Sequence, residues 1–591
     1  AGVMPLRAGR PRVQMLPTDA LMPLLFRAVT TGGMARDVWY AGGGWLGWAL
    51  GGLPVAWVAG CCVVGAVVGA VVAHLLLPLS TELSTPRGPW DVACTTVCVA
   101  DPAYESDVNV RVYFPVRAAP PAVRLPLLAH GSATAGGYAY FMHMPTLLLS
   151  WLQYLRSRVY DAHPEYTEVP EAGEQRAARG GGQVTVPSRF PVLVFSHGLG
   201  GTPDCYSTLI ADVVSHGWVV AAPEHAEGSG AYTKLSDGTQ LMYVRMTDAE
   251  RADKRAEYRL RHRQLKARVT EMCATMDLLY RLAGVPVPPV ARVTTKLSAD
   301  GDTPTPTPDA ASPPPAGGGA ASTPAPAAPA TAAAAKPAAA KPAAKPARDP
   351  EDMQLLKYFL EGRVDAHSLV VAGHSFGAAT ALATADHDRR PAAVVALDPW
   401  MFPLSATTMQ RGMAHVPVLS VCGDGFTVWP ENAVALRVLL SLGHRGAAAA
   451  TPAVATPDDD FIPRNGVDAK GGVHPGLVRV PAVHAANAMI TVPGIEHQNF
   501  NDFAVVMRRA LRLKGFIGSR EPRSALSLLA SLTRAYATQA LAAAAAAAKP
   551  AAGTPPTRPP FTFVLPPDVP PADAQTHPWT VEQAAASAEA R

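Results

Sequence analysis

Serine, histidine and carboxylate residues stand in this chain where they could carry out acyl transfer together. Gly373-His374-Ser375-Phe376-Gly377 follows a short apolar run, 369–372, and leads straight into 378–382, which reads as the start of a helix. Strand, sharp turn and helix is the setting in which G-x-S-x-G lifts a serine hydroxyl to the carboxyl edge of a sheet. A serine hydroxyl is a poor nucleophile until a base takes its proton. His497, in the loop after the last expected strand, is the candidate base; His474 and His484 are rivals that sit in or beside an insertion. An acid must then fix the imidazole tautomer. Asp398, 23 residues past the serine, and Asp424, after the following strand, both qualify, and pattern alone does not choose between them. The oxyanion formed in such chemistry needs backbone N–H donors. Phe376, next to the serine, supplies one, and Leu199, within His197-Gly198-Leu199-Gly200, supplies the other. His197 itself reads as a residue that shapes this loop.

Elements that could position these groups alternate along the chain. Apolar runs at 190–195, 218–222, 369–372, 392–397, 416–422 and 488–492 read as strands, several of them ending in polar residues. Residues 108–114 alternate as an edge strand would, with Val108, Val110, Val112 and Phe114 on one face. A long helix is expected over 247–283, opened by Thr247 and Glu250 at capping-box spacing. Its buried face is Leu265, Val269, Met272, Met276 and Leu279, and its charged face reads as solvent-exposed. Residues 353–362 and 503–513 are further helices. Within the aromatic stretch 138–160, residues 146–159 read as an amphipathic helix, lying on lipid, closing over a pocket or packing into the core. Strands alternating with helices predict an α/β fold, a mostly parallel doubly wound sheet with helices on both faces. The chain order Ser375, Asp398, His497 is the α/β-hydrolase order.

Composition divides the chain. Residues 1–37 form a basic leader. Residues 38–81 carry no Asp, Glu, Lys or Arg, and 55–77 is long enough, at about 34 Å of helix, to cross a bilayer. A membrane location is therefore expected, as one span or a hairpin, with the organelle open. Gly65 and Gly69 would let a second helix approach. The globular domain is expected over 88–530, interrupted by disordered insertions at 298–350 and 443–483, with a low-complexity tail over 542–591. No basic patch interleaved with aromatics points to nucleic acid. The seven cysteines fit no zinc or disulfide framework and read as free, buried thiols. The serine chemistry asks for no metal or cofactor.

Five stretches together resemble a known family: Phe195-Ser196-His197-Gly198-Leu199-Gly200, residues 215–222, the Ser375 motif, residues 396–404 around Asp398, and residues 497–503 from His497. They look like the platelet-activating-factor acetylhydrolases of the plasma and type II intracellular group, with agreement dispersed over 88–530. The resemblance implies Ser375 as nucleophile, Asp398 rather than Asp424 as acid, His497 as base, and Leu199 and Phe376 as oxyanion donors. It further implies a calcium-independent phospholipase A2 reaction on phospholipids with acetyl or short, often oxidised, sn-2 chains. Residues 138–160 fall where that family has its lipid-contacting helix. Ala378 stands where the family usually has Gly, and Pro399 where it often has Ala. Other expectations to be weighed are a hydrolase of chlorophyll or neutral-lipid esters, and a catalytically inactive membrane scaffold.

Overall fold

The computed structural model describes residues 82–99, 107–289, 350–413, 415–427, 429–441, 487–547, 563–566 and 569–570. The expected leader, the apolar segment 38–81, the insertion 443–483 and all but the last residue of 298–350 lie outside these residues. Among the described residues no helix is long and apolar enough to cross a membrane.

Strands β1 (Asp91–Val99), β2 (Val108–Ala118) and β3 (Arg124–Pro126) lead to helix α1 (Ser132–Phe141) and strand β4 (Arg156–Asp161). The units that follow alternate: β5 (Phe190–Ser196), α2 (Ser207–Val214), β6 (Val219–Glu224), then α3 (Lys254–Leu282) and α4 (Pro350–Leu360). Next come β7 (Val364–His374), α5 (Phe376–His387), β8 (Ala393–Leu397), β9 (Val418–Cys422) and α6 (Pro430–Ser441). Strand β10 (Ala488–Thr491) and helix α7 (Pro522–Ala547) complete the domain. The strands form an eleven-stranded sheet in the order β10-β9-β8-β7-β5-β6-β2-β1-β4-β3, with Thr167–Glu168 paired beside β2. From β10 to β6 every neighbour is parallel. Strand β2 runs antiparallel to both β6 and β1.

The parallel strands are apolar throughout because both faces are covered. In β7, Leu369 and Val371 point into one core with α3, α4, α5 and α6, while Val370 and Ala372 point into the other with α2 and α7. Each such aliphatic side chain contributes about 1.5–3 kcal/mol over its exposed state. The fold is thus mixed α/β with a central, mostly parallel sheet between helical layers.

Several local expectations change. The stretch 108–114 is no edge strand. Strand β2 lies inside the sheet, where Val108, Val110, Val112 and Phe114 face one core and Tyr113 the other. Residues 146–159 form no helix. After Pro145 come two 3₁₀ turns, Thr146–Leu148 and Ser150–Tyr154, and the chain from Arg156 is taken up as β4 between β1 and β3. Trp151 Nε1 donates to the Leu148 carbonyl at 3.0 Å, which closes the first turn tightly. The helix over 247–283 is two. Thr247 caps Asp248–Ala252 through the expected capping box. Asp253 then goes extended and caps α3, accepting from the Arg255 N–H at 2.9 Å. The 503–513 helix likewise divides at Met507 into Phe503–Val506 and Arg508–Leu513. Cys94, Cys98, Cys205, Cys273 and Cys422 are free thiols, and all but Cys98 are buried.

Helix α7 carries the domain past residue 530. Leu532, Tyr536, Ala537 and Ala540 are buried against α2 and the sheet, and Tyr536 meets the Phe563 ring edge-on at 5.2 Å. Tyr536→Ala is therefore expected to lower the unfolding free energy by about 3–5 kcal/mol in urea titration, the range for emptying an aromatic core site.

Asp502 fastens the start of α2. Its carboxylate accepts from Ser207 Oγ at 2.7 Å and the Thr208 N–H at 3.2 Å, and its N–H donates to the Cys205 carbonyl at 2.7 Å. Burial pushes this carboxyl up from 3.8 to about 6, against the opposing pull of those hydrogen bonds. The folded state then holds a proton that the unfolded chain has released between those values, so this group's stabilisation is fullest below pH 4 and is lost as pH rises to about 6. Urea unfolding of wild type and Asp502→Asn should therefore diverge on acidification. The wild type should gain about 2 kcal/mol relative to the variant from pH 7 to pH 4. A wild type that loses stability relative to the variant on acidification would show that burial does not dominate at this carboxylate.

Candidate active site

Strands β5 and β7 are parallel neighbours, and their register sets Gly373 opposite Ser196. The chain leaves both at the same edge. From β7 it turns through Ser375, at φ 58° and ψ −118°, into α5. This is a left-handed backbone that a residue with a Cβ seldom adopts, and it turns the side chain out of the sheet. The turn fits because its flanks are glycine. A Cβ at Gly377 would stand 2.0 Å from the Ser196 carbonyl oxygen, and one at Gly373 2.2 Å from the Gly377 carbonyl oxygen.

The structure brings Ser375, His497 and Asp398 onto one line. His497 Nε2 lies 3.0 Å from Ser375 Oγ, and His497 Nδ1 lies 2.5 Å from Asp398 Oδ2. The serine hydroxyl is thus placed to donate to Nε2, with Nδ1–H donating to the carboxylate. Asp398 Oδ1 accepts from the Gly423 N–H at 2.9 Å, so both carboxylate oxygens are held. The gradient of exposure suits the chemistry: the Asp398 side chain is 5 % exposed and that of His497 40 %. Asp424 is not part of this line. Its Oδ2 accepts from the Gly494 N–H at 2.7 Å, beside the loop that carries His497. His474 and His484 lie outside the described residues.

Leu199 and Phe376 stand on the two segments that meet here, the loop leaving β5 and the first residue of α5. Among the described residues, no hydrogen-bond acceptor engages the N–H of either. His197 is buried and shapes the loop: its Nδ1 lies 2.9 Å from the Gly198 carbonyl, and its Nε2 accepts from the His225 N–H at 3.3 Å. Burial, and then the Arg268 charge, hold its pKa well below the ordinary value, so the ring is neutral.

Further residues support the site that the sequence did not point out. Tyr206 OH accepts from the Gly198 N–H at 3.0 Å and lies 2.9 Å from His374 Nδ1, tying the loop after β5 to the turn after β7. His374 is neutral, its pKa held low first by burial and then by His497, and it stacks on Phe500 at 5.1 Å. Asn432 accepts from the Met401 N–H at 2.7 Å and donates to the Pro399 carbonyl at 2.5 Å, fixing the loop after Asp398. Pro399 is accommodated there, and Ala378 is fully buried in the first turn of α5. Apolar rings stand close by. Trp400 meets Phe376 edge-on at 5.6 Å and stacks on Phe402 at 5.7 Å, and Phe141 lies against Gly200. Among the described residues two groups of ligand-type side chains lie together, His374 with Asp398 and His497, and His225 with Glu227 and Glu271. In the first group Asp398 and His497 are engaged with each other and with Ser375, and His374 bonds Tyr206. In the second, His225 and Glu271 bond each other and Glu227 bonds the Arg268 guanidinium, so a cation would have to displace existing partners.

The family model described as platelet-activating factor acetylhydrolase, isoform II, matches residues 79–289 and 351–544. A platelet-activating factor acetylhydrolase of Bos taurus is 23% identical over 354 residues, 58% of this chain and 56% of that protein. The Canis lupus familiaris protein of the same name is 23% identical over 57% of each chain, and the Gallus gallus one 22% identical over 61% of this chain and 66% of its own. The chain thus spans just over half the length of the first two relatives. A solved ferulic acid esterase from Streptomyces cinnamoneus aligns with TM-score 0.42 and 15% identity over 81% of this chain and 98% of its own, too distant a likeness to carry weight. The family match covers more than half of the chain and steps over the Pro- and Ala-rich stretch between residues 289 and 351, and on it the chain belongs to the platelet-activating factor acetylhydrolase isoform II family.

Proposed function

We propose that this chain is a serine esterase of the α/β-hydrolase fold that removes the sn-2 acetyl or short acyl group of phospholipids. One observation carries the reading: the unbroken hydrogen-bonded line from Ser375 through His497 to Asp398 at the carboxyl edge of the sheet. Ser375 Oγ attacks the ester carbonyl carbon while His497 Nε2 takes the hydroxyl proton. Asp398 accepts from Nδ1–H and stabilises the imidazolium. The carbonyl oxygen becomes an oxyanion held by the N–H groups of Leu199 and Phe376. Collapse releases lysophospholipid, whose leaving oxygen receives the proton from His497. Water then enters, gives its proton to His497 and attacks the acyl-serine, and the short carboxylic acid departs. The family membership, and relatives named as platelet-activating factor acetylhydrolases, support the phospholipid class. The rings of Trp400, Phe402 and Phe141 beside the site favour an apolar ester.

We further place this activity at a membrane, with residues 55–77 as the anchor. Starting the chain at Glu82 is expected to free it from the pellet that survives alkaline carbonate extraction, with hydrolysis of a soluble short-chain ester retained. Protein that stays in that pellet would put the anchor elsewhere.

Ser375→Ala should lower turnover by about a million-fold and abolish labelling by fluorophosphonate. Near-normal activity of the folded variant would remove the mechanism. Asp398→Asn should cost about ten-thousand-fold in kcat, and Asp424→Asn far less. Steady-state kinetics on short-acyl phospholipid beside neutral-lipid and chlorophyll esters test both the acid and the substrate class.

A further inference from the structure

We propose that Arg268 is a positioning residue that holds the two oxyanion donors, the N–H groups of Leu199 and Phe376, in fixed relation to each other. The inference rests on the esterase reading above.

Arg268 sits on α3, and its side chain is 0 % exposed. Its Nη1 donates to the His197 carbonyl at 2.6 Å, two residues before Leu199. Its Nε donates to Ser229 Oγ at 2.8 Å and to Glu227 Oε1 at 2.9 Å. The Ser229 carbonyl in turn accepts from the Gly200 N–H at 2.7 Å, directly after Leu199. The same guanidinium lies over the Phe376 ring, 4.4 Å from its centre. One planar group therefore grips the oxyanion loop on both sides of one donor and packs on the side chain that carries the other. A guanidinium suits this task because its donors are fixed in a rigid fork and its face stacks on aromatic rings.

A buried charge is costly unless paired, and Glu227 supplies the pairing. The neighbouring positions Val269 and Met272 on α3 fill the core with hydrocarbon, so packing alone does not call for an arginine here.

Glu271, three residues on, holds the neighbouring loop, the one after β6 that also carries Glu227 and Ser229. Its Oε1 accepts from the Ala226 N–H at 3.0 Å, and its Oε2 lies 2.5 Å from His225 Nδ1. His225 Nε2 lies 2.7 Å from Ser196 Oγ, at the last residue of β5. This Ser196–His225–Glu271 line mimics a catalytic triad, but all three residues are buried, so it braces the loop after β6 against the end of β5 and receives no substrate.

The test uses the full chain with Arg268→Lys, which keeps the charge and loses the fork. On a soluble p-nitrophenyl ester, kcat should fall about ten- to a hundredfold with KM within about twofold, the scale of a small misplacement of catalytic groups. A trifluoromethyl ketone places an oxyanion in the hole when it adds to Ser375. Its Ki should rise by the same factor as kcat/KM falls. Circular dichroism gives the folded fraction. Ser229→Ala removes one Arg268 contact and should show the same paired change to a smaller extent, which covers an Arg268→Lys chain that does not fold. A folded variant with wild-type kcat, or with reduced kcat and unchanged ketone affinity, overturns the inference while wild-type activity upholds the esterase reading. Wild-type protein inert to both ester and fluorophosphonate overturns that reading and the inference with it.

Discussion

The site depends on how closely the end of β5 can approach the turn after β7. Register sets Gly373 opposite Ser196, and the Gly377 backbone lies against the Ser196 carbonyl with no room for a side chain. That contact brings the segment bearing Leu199 beside the segment bearing Ser375 and Phe376. A slip of one residue would turn every side chain of the strand to the other face and mismatch the packing of both cores, so the two apolar layers fix the register. The hydrophobic effect thus has a consequence at the candidate site: packing on both faces of the sheet determines where the Ser375 hydroxyl and the N–H groups of Leu199 and Phe376 meet.

Around that contact, polar side chains make connections that backbone pairing does not. Tyr206 joins the loop after β5 to His374, Asn432 holds the loop after Asp398, and Asp502 ties the segment after His497 to the first turn of α2. Each of these residues is buried, where a hydrogen bond left unmade costs more than one made contributes. A relaxed alternative arrangement would leave several such groups unpaired at once, and this keeps the geometry to one solution.

The features legible in the sequence were those with local causes. The elbow glycines, the polar strand exits, the apolar stripe of α3 and the capping box at Thr247 each declare themselves within a few residues. What was not legible depends on what lies opposite. Arg261, Gln264, Arg268 and Glu271 read as a solvent face, because periodicity identifies a face and says nothing of its neighbour; the structure buries all four. The stretch 146–159 has helical spacing of its apolar residues, yet β1 and β3 take up its second half as strand. Likewise, alternation in 108–114 showed one covered face, while the cover over Tyr113 comes from residues far along the chain. Asp398 and Asp424 stand at equivalent strand ends, and only the path of the loop carrying His497 separates them.

Arg87 gives the domain a temporal property. Its guanidinium bonds Asp212 at 2.9 Å, the Ser527 carbonyl at 2.6 Å and Ser531 Oγ at 2.9 Å, partners up to 444 residues away along the chain. Helix α7, which holds the last two, also seals one face of the sheet. During synthesis at about 5–20 residues per second, the interval between Arg87 and the end of α7 lasts roughly 20–90 s. Throughout that time one apolar face of the nascent sheet lacks its cover and Arg87 lacks two of its partners. The domain therefore cannot complete its packing from its amino-terminal portion alone. That face of the sheet gains its cover only after the last helix emerges.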